Sequence, residues 1–159
     1  MARVIVEGVG IHYEVEGRGA PLVLQHGFAD SLASWYECGY VDALASDHRL
    51  VLIDARGHGG SDKPHDPNAY AGGAMPLDVV AVLDDLAIER SSFFGHSMGG
   101  GVGLALAHYA PDRFSALGFA ASAPDSERSE AAGGLLALLE QGPAALLAAW
   151  RAWSNSQPG

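Results

Sequence analysis

The sequence predicts an α/β fold, a mostly parallel sheet with helices on both faces, led by an antiparallel hairpin. Three observations carry this expectation. Short, nearly all-apolar runs at 21–25, 49–54 and 114–121 read as strands covered on both faces. Stretches with apolar residues at helical spacing lie between such runs. The first two runs, 2–6 and 11–16, differ: the second alternates apolar with polar residues, the mark of a sheet with one wet face.

The elements follow in order. In the second strand Ile11, Tyr13 and Val15 alternate with His12, Glu14 and Glu16. Val9-Gly10 is the expected tight turn before it, and His12 falls on the polar face, where solvent should reach it. The strand at 21–25 runs into His26-Gly27-Phe28. A helix is expected over 31–45, with Asp30 or Ser31 as its cap. The strand at 49–54 ends in a loop rich in glycine and charge, 55–62, and the proline-containing stretch 63–73 is loop as well. Pro76 suits the first turn of a helix, where its missing N–H is no loss. Val79, Val80, Val82, Leu83 and Leu86 then give that helix an apolar face to about Ile88. Ser91-Ser92-Phe93-Phe94 is the next strand, a helix runs from Met98 to the residues before Pro111, and 114–121 is the last strand of a core spanning 1–122. From Ser122 the character changes. A loop at 123–128 leads to a short helix at 135–140, broken by Gly142-Pro143, and Leu146, Leu147, Trp150 and Trp153 line one face of a second helix. Residues 123–159 are expected to begin a helical cap, or to rest on a partner chain.

The stretch Gly95-His96-Ser97-Met98-Gly99-Gly100 places Ser97 at the apex of a strand-turn-helix. A serine there is held in a strained backbone conformation with its hydroxyl clear of the chain. Gly95 and Gly99 fit the crowding two positions to either side. The N–H groups that open the helix point at the place where negative charge develops during attack on a carbonyl. His26-Gly27-Phe28, the segment from Asp54 to Asp62 and this serine turn all follow parallel strands, so they should meet at the carboxyl edge of the sheet.

Composition narrows the function classes. The 159 residues carry a net charge of −10, which argues against nucleic acid or anionic lipid as partner. No run of about 18 apolar residues exists, so no membrane span is expected. Residues 1–7 lack the pattern of a signal peptide. The single cysteine, Cys38, excludes an internal disulfide and fits a reducing, cytoplasmic compartment.

In this order and spacing the three motifs resemble the α/β-hydrolase fold family, in particular its esterase, lactonase and lysophospholipase-like members. The resemblance covers residues 2 to 122. It implies that Ser97 is the nucleophile and that the backbone N–H groups of Phe28 and Met98 form the oxyanion hole. It implies a small-molecule ester or lactone as substrate and no metal or cofactor. Serine at the apex, where some relatives carry aspartate, argues against dehalogenase or epoxide hydrolase chemistry. His26 and Gly27 are expected to shape the oxyanion loop, Asp54, Arg56 and His58 to build a structural loop, and the His96 side chain to point away from Ser97. His108 is a plausible cation at the negative end of its helix.

The sequence also departs from the family, which places an acid and then a histidine after the nucleophile. The 62 residues that follow Ser97 (159 − 97) hold one histidine, His108, inside the helix after the turn. The last two strands of the expected sheet are absent. Asp125 is a candidate acid, or simply a loop or capping residue, and His58 is the one local candidate to stand in for the base. The expectation is the front part of a serine hydrolase, weak or inactive by itself. The alternatives are an enzyme whose remainder was lost or comes from another chain, and a non-catalytic module that uses the pocket for binding. A further one is an assembly that self-associates through the 114–121 strand edge or the terminal helices.

Overall fold

The computed structural model describes residues 2–71 and 73–121. Its strands are β1 (Ala2–Val6), β2 (Val9–Gly17), β3 (Ala20–Gln25), β4 (His48–Ile53), β5 (Ser91–His96) and β6 (Phe114–Ala120), in one sheet of order β1-β2-β4-β3-β5-β6. β4, β3, β5 and β6 run parallel, whereas β1 and β2 are antiparallel to their neighbours. This is the mostly parallel sheet with a leading hairpin that the sequence predicts.

The hairpin turn lies two residues earlier than expected. Glu7 and Gly8 both have positive φ, 51° and 83°, as a two-residue turn matched to strand twist requires. Val6 therefore pairs with Val9, and Val9-Gly10 belongs to β2. β2 is bonded on both edges, to β1 and to β4, and its first five residues are buried. His12 is accordingly 5% exposed, not solvated, because the loop after β4 covers that face.

The expected helix over 31–45 is two short helices, α1 (Ala33–Glu37) and α2 (Tyr40–Leu44). Gly39, at φ 76°, turns the chain between them. The residue preceding α1 is Leu32, with no side-chain cap, and Asp30 instead accepts from the Ser31 N–H. The loop 63–73 contains a 3-10 turn at Pro67–Tyr70, capped by the Asp66 carboxylate on the Asn68 N–H. α3 (Ala74–Asp85) has Pro76 in its first turn, and α4 (Met98–Tyr109) stops before Pro111.

Strand pleating sends neighbouring side chains to opposite cores. Val23, Val51, Ile53 and Phe93 pack with Val79, Val82 and Leu83 of α3 and with Val102 and Leu106 of α4. Leu24, Leu50 and Leu52 pack with Trp35 of α1 and Val41 of α2, and Phe94 joins this second cluster. Helices thus cover both faces. From β3 the chain crosses to β4 on one side and then returns past β3 to β5 on the other. That reversal opens a crevice at the carboxyl ends of β3 and β5, the usual ligand position in open α/β sheets. Among the described residues β6 pairs only with β5, and no helix is long and apolar enough to cross a membrane. Asp125 and the helices expected at 135–140 and 146–153 lie outside the described residues.

Candidate active site

Ser97 links the end of β5 to the start of α4 at φ 51°, ψ −111°, a conformation non-glycine residues rarely adopt. Its N–H donates to the Ala120 carbonyl at the end of β6 (2.8 Å), and its carbonyl accepts from the Gly101 N–H (3.2 Å). The flanking glycines are required by backbone distances. A Cβ on Gly95 would lie 2.3 Å from the Gly99 carbonyl oxygen, and one on Gly99 would lie 2.2 Å from that of Gln25. The turn is therefore pressed against the end of β3. Met98 opens α4, so its N–H is among the four that a helix leaves without an internal acceptor, at the positive end of the helix dipole.

The loop after β3 carries His26, Gly27 and Phe28. A Cβ on Gly27 would sit 3.1 Å from His96 Nδ1 and 3.5 Å from the Ser97 Cβ, so this loop lies directly against the serine turn. His26 is 1% exposed. Its Nε2 is 3.1 Å from the Ala55 N–H and must accept, so its Nδ1 carries the proton and donates to the Gly27 carbonyl at 2.7 Å. Burial pushes the His26 imidazole below its ordinary pKa against the opposing pull of the Gly27 carbonyl. It is a neutral ring with both nitrogens engaged, suited to shaping the loop. His58 is held the same way. Its Nε2 accepts from the Ala29 N–H (3.2 Å), and its Nδ1 faces the Arg56 carbonyl (3.1 Å). Its ring meets those of His26 and Phe28 at centroid distances of 5.3 and 5.7 Å.

Behind this layer Asp54, 2% exposed, gathers three donors. Oδ1 accepts from the Leu32 N–H (2.8 Å), while Oδ2 accepts from the Gly60 N–H (2.7 Å) and His12 Nδ1 (2.8 Å). Burial alone would raise its pKa, but the hydrogen bonds from His12, Leu32 and Gly60 together carry it below the ordinary carboxylate value. Gly59 is needed here, since a Cβ would fall 2.1 Å from the Asp54 carboxylate. Arg56 forms a two-pronged pair with Asp78 of α3 at 2.7 and 2.6 Å and also bonds the Ala69 carbonyl. The Asp78 carboxylate holds the guanidinium above its ordinary pKa. Asp54 and Arg56 thus fasten loops, as their motif led us to expect. His12 and Asp78 were missed. His12 was hidden by the alternation of β2, and nothing near Asp78 in sequence marks it as a partner of Arg56.

The residues on either side of Ser97 each line a cavity. His96 borders one of about 220 Å³ with Trp35, Tyr40, Phe94 and Asp30, on the α1–α2 face. Met98 borders another of about 230 Å³ with Tyr70, Met75 and Val102, on the α3–α4 face. Phe28 is 44% exposed. The structure brings Ser97, Met98, Gly27, Phe28, His26, His58 and His96 to one edge of the sheet.

Known proteins share this fold. The model of the alpha/beta hydrolase fold family matches residues 20–150. The chain is 32% identical over 111 residues to epoxide hydrolase 3 of Siraitia grosvenorii, across 69% of this chain and 34% of that protein. The crystal structure of the epoxide hydrolase VrEH1 from Vigna radiata superposes with a TM-score of 0.72 at 28% identity, covering 79% of this chain and 40% of that one. Est816, described as an N-acyl homoserine lactone degrading enzyme, gives a TM-score of 0.66 at 35% identity, covering 74% and 44%. The chain thus spans less than half the length of each of these proteins. The sheet order, the serine turn between β5 and α4 and the family match agree, and the chain belongs to the α/β-hydrolase fold family.

Proposed function

We propose that this chain carries the nucleophile portion of a serine hydrolase acting on small carboxylic esters or lactones. The observation that carries the reading is Ser97 at positive φ, lodged between the oxyanion loop and the first turn of α4. Ser97 Oγ attacks the carbonyl carbon and gives up its proton to a base. The N–H groups of Phe28 and Met98 receive the developing oxyanion. Collapse expels the alcohol and leaves an acyl-serine, which water then hydrolyses. Serine at the apex favours acyl over alkyl transfer, although two of the relatives are epoxide hydrolases. An epoxide opened by serine would leave an ether, which water cannot release, whereas an acyl-serine is a hydrolysable ester.

The base is the missing part. His26 and His58 have both ring nitrogens engaged, and no histidine follows His108 in the sequence. We therefore assign the general base to a histidine outside these 159 residues, with Asp125 as the candidate acid. Hydrolysis of p-nitrophenyl acetate tests this. The chain should acylate slowly and turn over poorly, because loss of a triad member typically costs several powers of ten. Ser97→Ala should remove the residual reaction. Fast turnover abolished by His58→Phe would contradict the assignment of the base.

A second reading, self-association, rests on β6. Among the described residues it is an edge strand, and it carries neither charge nor proline to discourage pairing with another copy.

A further inference from the structure

We propose that His58 is a positioning residue for the oxyanion donor Phe28, acting through the neighbouring Ala29 N–H. The inference rests on the reading of Phe28 as that donor. Phe28 lies between two fixed peptides. On one side the Gly27 carbonyl, which shares a rigid peptide plane with the Phe28 N–H, is held by His26 Nδ1 at 2.7 Å. On the other side the Ala29 N–H is held by His58 Nε2 at 3.2 Å. Ala29 needs such a hold, because it stands at φ 58° without being glycine. His58 in turn is anchored through the Arg56 carbonyl, and Arg56 is fixed to α3 by the buried Asp78 pair. The edge of the Phe28 ring against the imidazole, centroids 5.7 Å apart, closes the contact from the side-chain direction. The tautomer with its proton on Nδ1 donates to Arg56 and accepts from Ala29, so both ring nitrogens are committed to the clamp. The loop after β4 therefore reaches the reacting centre through the backbone of the loop after β3.

His58→Phe keeps a ring but has no acceptor for the Ala29 N–H. His58→Gln offers an amide oxygen to Ala29 and an amide N–H to Arg56. Both variants would be compared with the unaltered 159-residue chain in two ways, by amide resonances and by the rate of Ser97 phosphonylation with an activated phosphonofluoridate. For His58→Phe we expect shifted Phe28 and Ala29 amides. Its maximal phosphonylation rate should fall about tenfold to a hundredfold, with the reagent's half-saturation concentration unchanged, because the donor is displaced and not the pocket. His58→Gln should recover to within about threefold. Unmoved Phe28 and Ala29 amides in His58→Phe would overturn the proposal, as would a folded His58→Gln that reacts no faster than His58→Phe. Phosphonylation that persists in Ser97→Ala would instead refute Ser97 as nucleophile, and the amide shifts would still decide whether His58 clamps the loop.

Discussion

Replacing Gly99 with alanine tests whether the serine turn and the loop after β3 are a single packed unit. The added Cβ would lie 2.2 Å from the Gln25 carbonyl oxygen and 2.8 Å from that of His26, and real Cβ contacts essentially never fall under 3.0 Å. The turn must therefore move away from β3 by about 0.8 Å, and neither contact is a flexible side chain that could give way. Overpacking of this kind typically costs 1–3 kcal/mol, and backbone contacts place Gly99→Ala near the top, at about 3 kcal/mol. For a chain of this length that is a fall in Tm of roughly 6–12 °C. Gly103→Ala, on the same helix, is the control. There the added Cβ meets ring edges of Phe119, which is 39% exposed and can swing aside, and of the buried Phe93, each at 2.6 Å. Helix propensity offsets about 1 kcal/mol of the overpacking cost, so Gly103→Ala should lose about 1–2 kcal/mol, less than Gly99→Ala. Thermal melts followed by circular dichroism would decide. Gly99→Ala melting within about 2 °C of the unaltered chain would refute the packing on which the site is built.

Four further outcomes rest on the hydrogen bonds, the ion pair and the edge strand described above. Stability should be greatest above about pH 6.5 and decline with acid, since the unfolded chain protonates its histidine near that value while the folded His26, with its lowered pKa, does not. Asp54, also lowered, keeps its contribution above about pH 4 and loses it as pH falls through its folded value. Asp54→Asn offers one acceptor oxygen to three donors, so urea melts at neutral pH should show a loss of about 2–3 kcal/mol and a flatter dependence below pH 4. Breaking the buried Arg56–Asp78 pair by Arg56→Met or Asp78→Asn should cost about 3–5 kcal/mol, with the double apolar replacement Arg56→Met, Asp78→Leu less damaging than either single change. Additive losses would deny the coupling. Light scattering at low micromolar concentration should detect self-association that Ala116→Lys, at an exposed position of β6, suppresses; a clean monomer would remove the β6 reading.

The sheet, its parallel core and the serine turn were open to reading because each rests on local rules. Period-two and all-apolar runs mark strands, and a glycine pair marks backbone crowding two residues away. What escaped was set by non-local contacts. The helix at 31–45 breaks at Gly39 because a left-handed residue turns it there, and helical spacing of apolar residues does not register that turn. The alternation in β2 placed His12 on the wet face, but the loop carrying Asp54 and Ser61, more than forty residues away, folds over it. The Arg56–Asp78 pair and the His58–Ala29 contact likewise join segments that nothing local connects.

The role proposed for Ser97 is the most direct point of test. The chain would be treated with a fluorophosphonate probe, digested, and its adduct located by peptide mass spectrometry. The adduct should sit on Ser97, within the peptide containing Gly95 and Gly99, and should vanish in Ser97→Ala. A probe adduct on another residue, or one that survives in Ser97→Ala, would contradict the assignment of this turn as the seat of an acyl-enzyme.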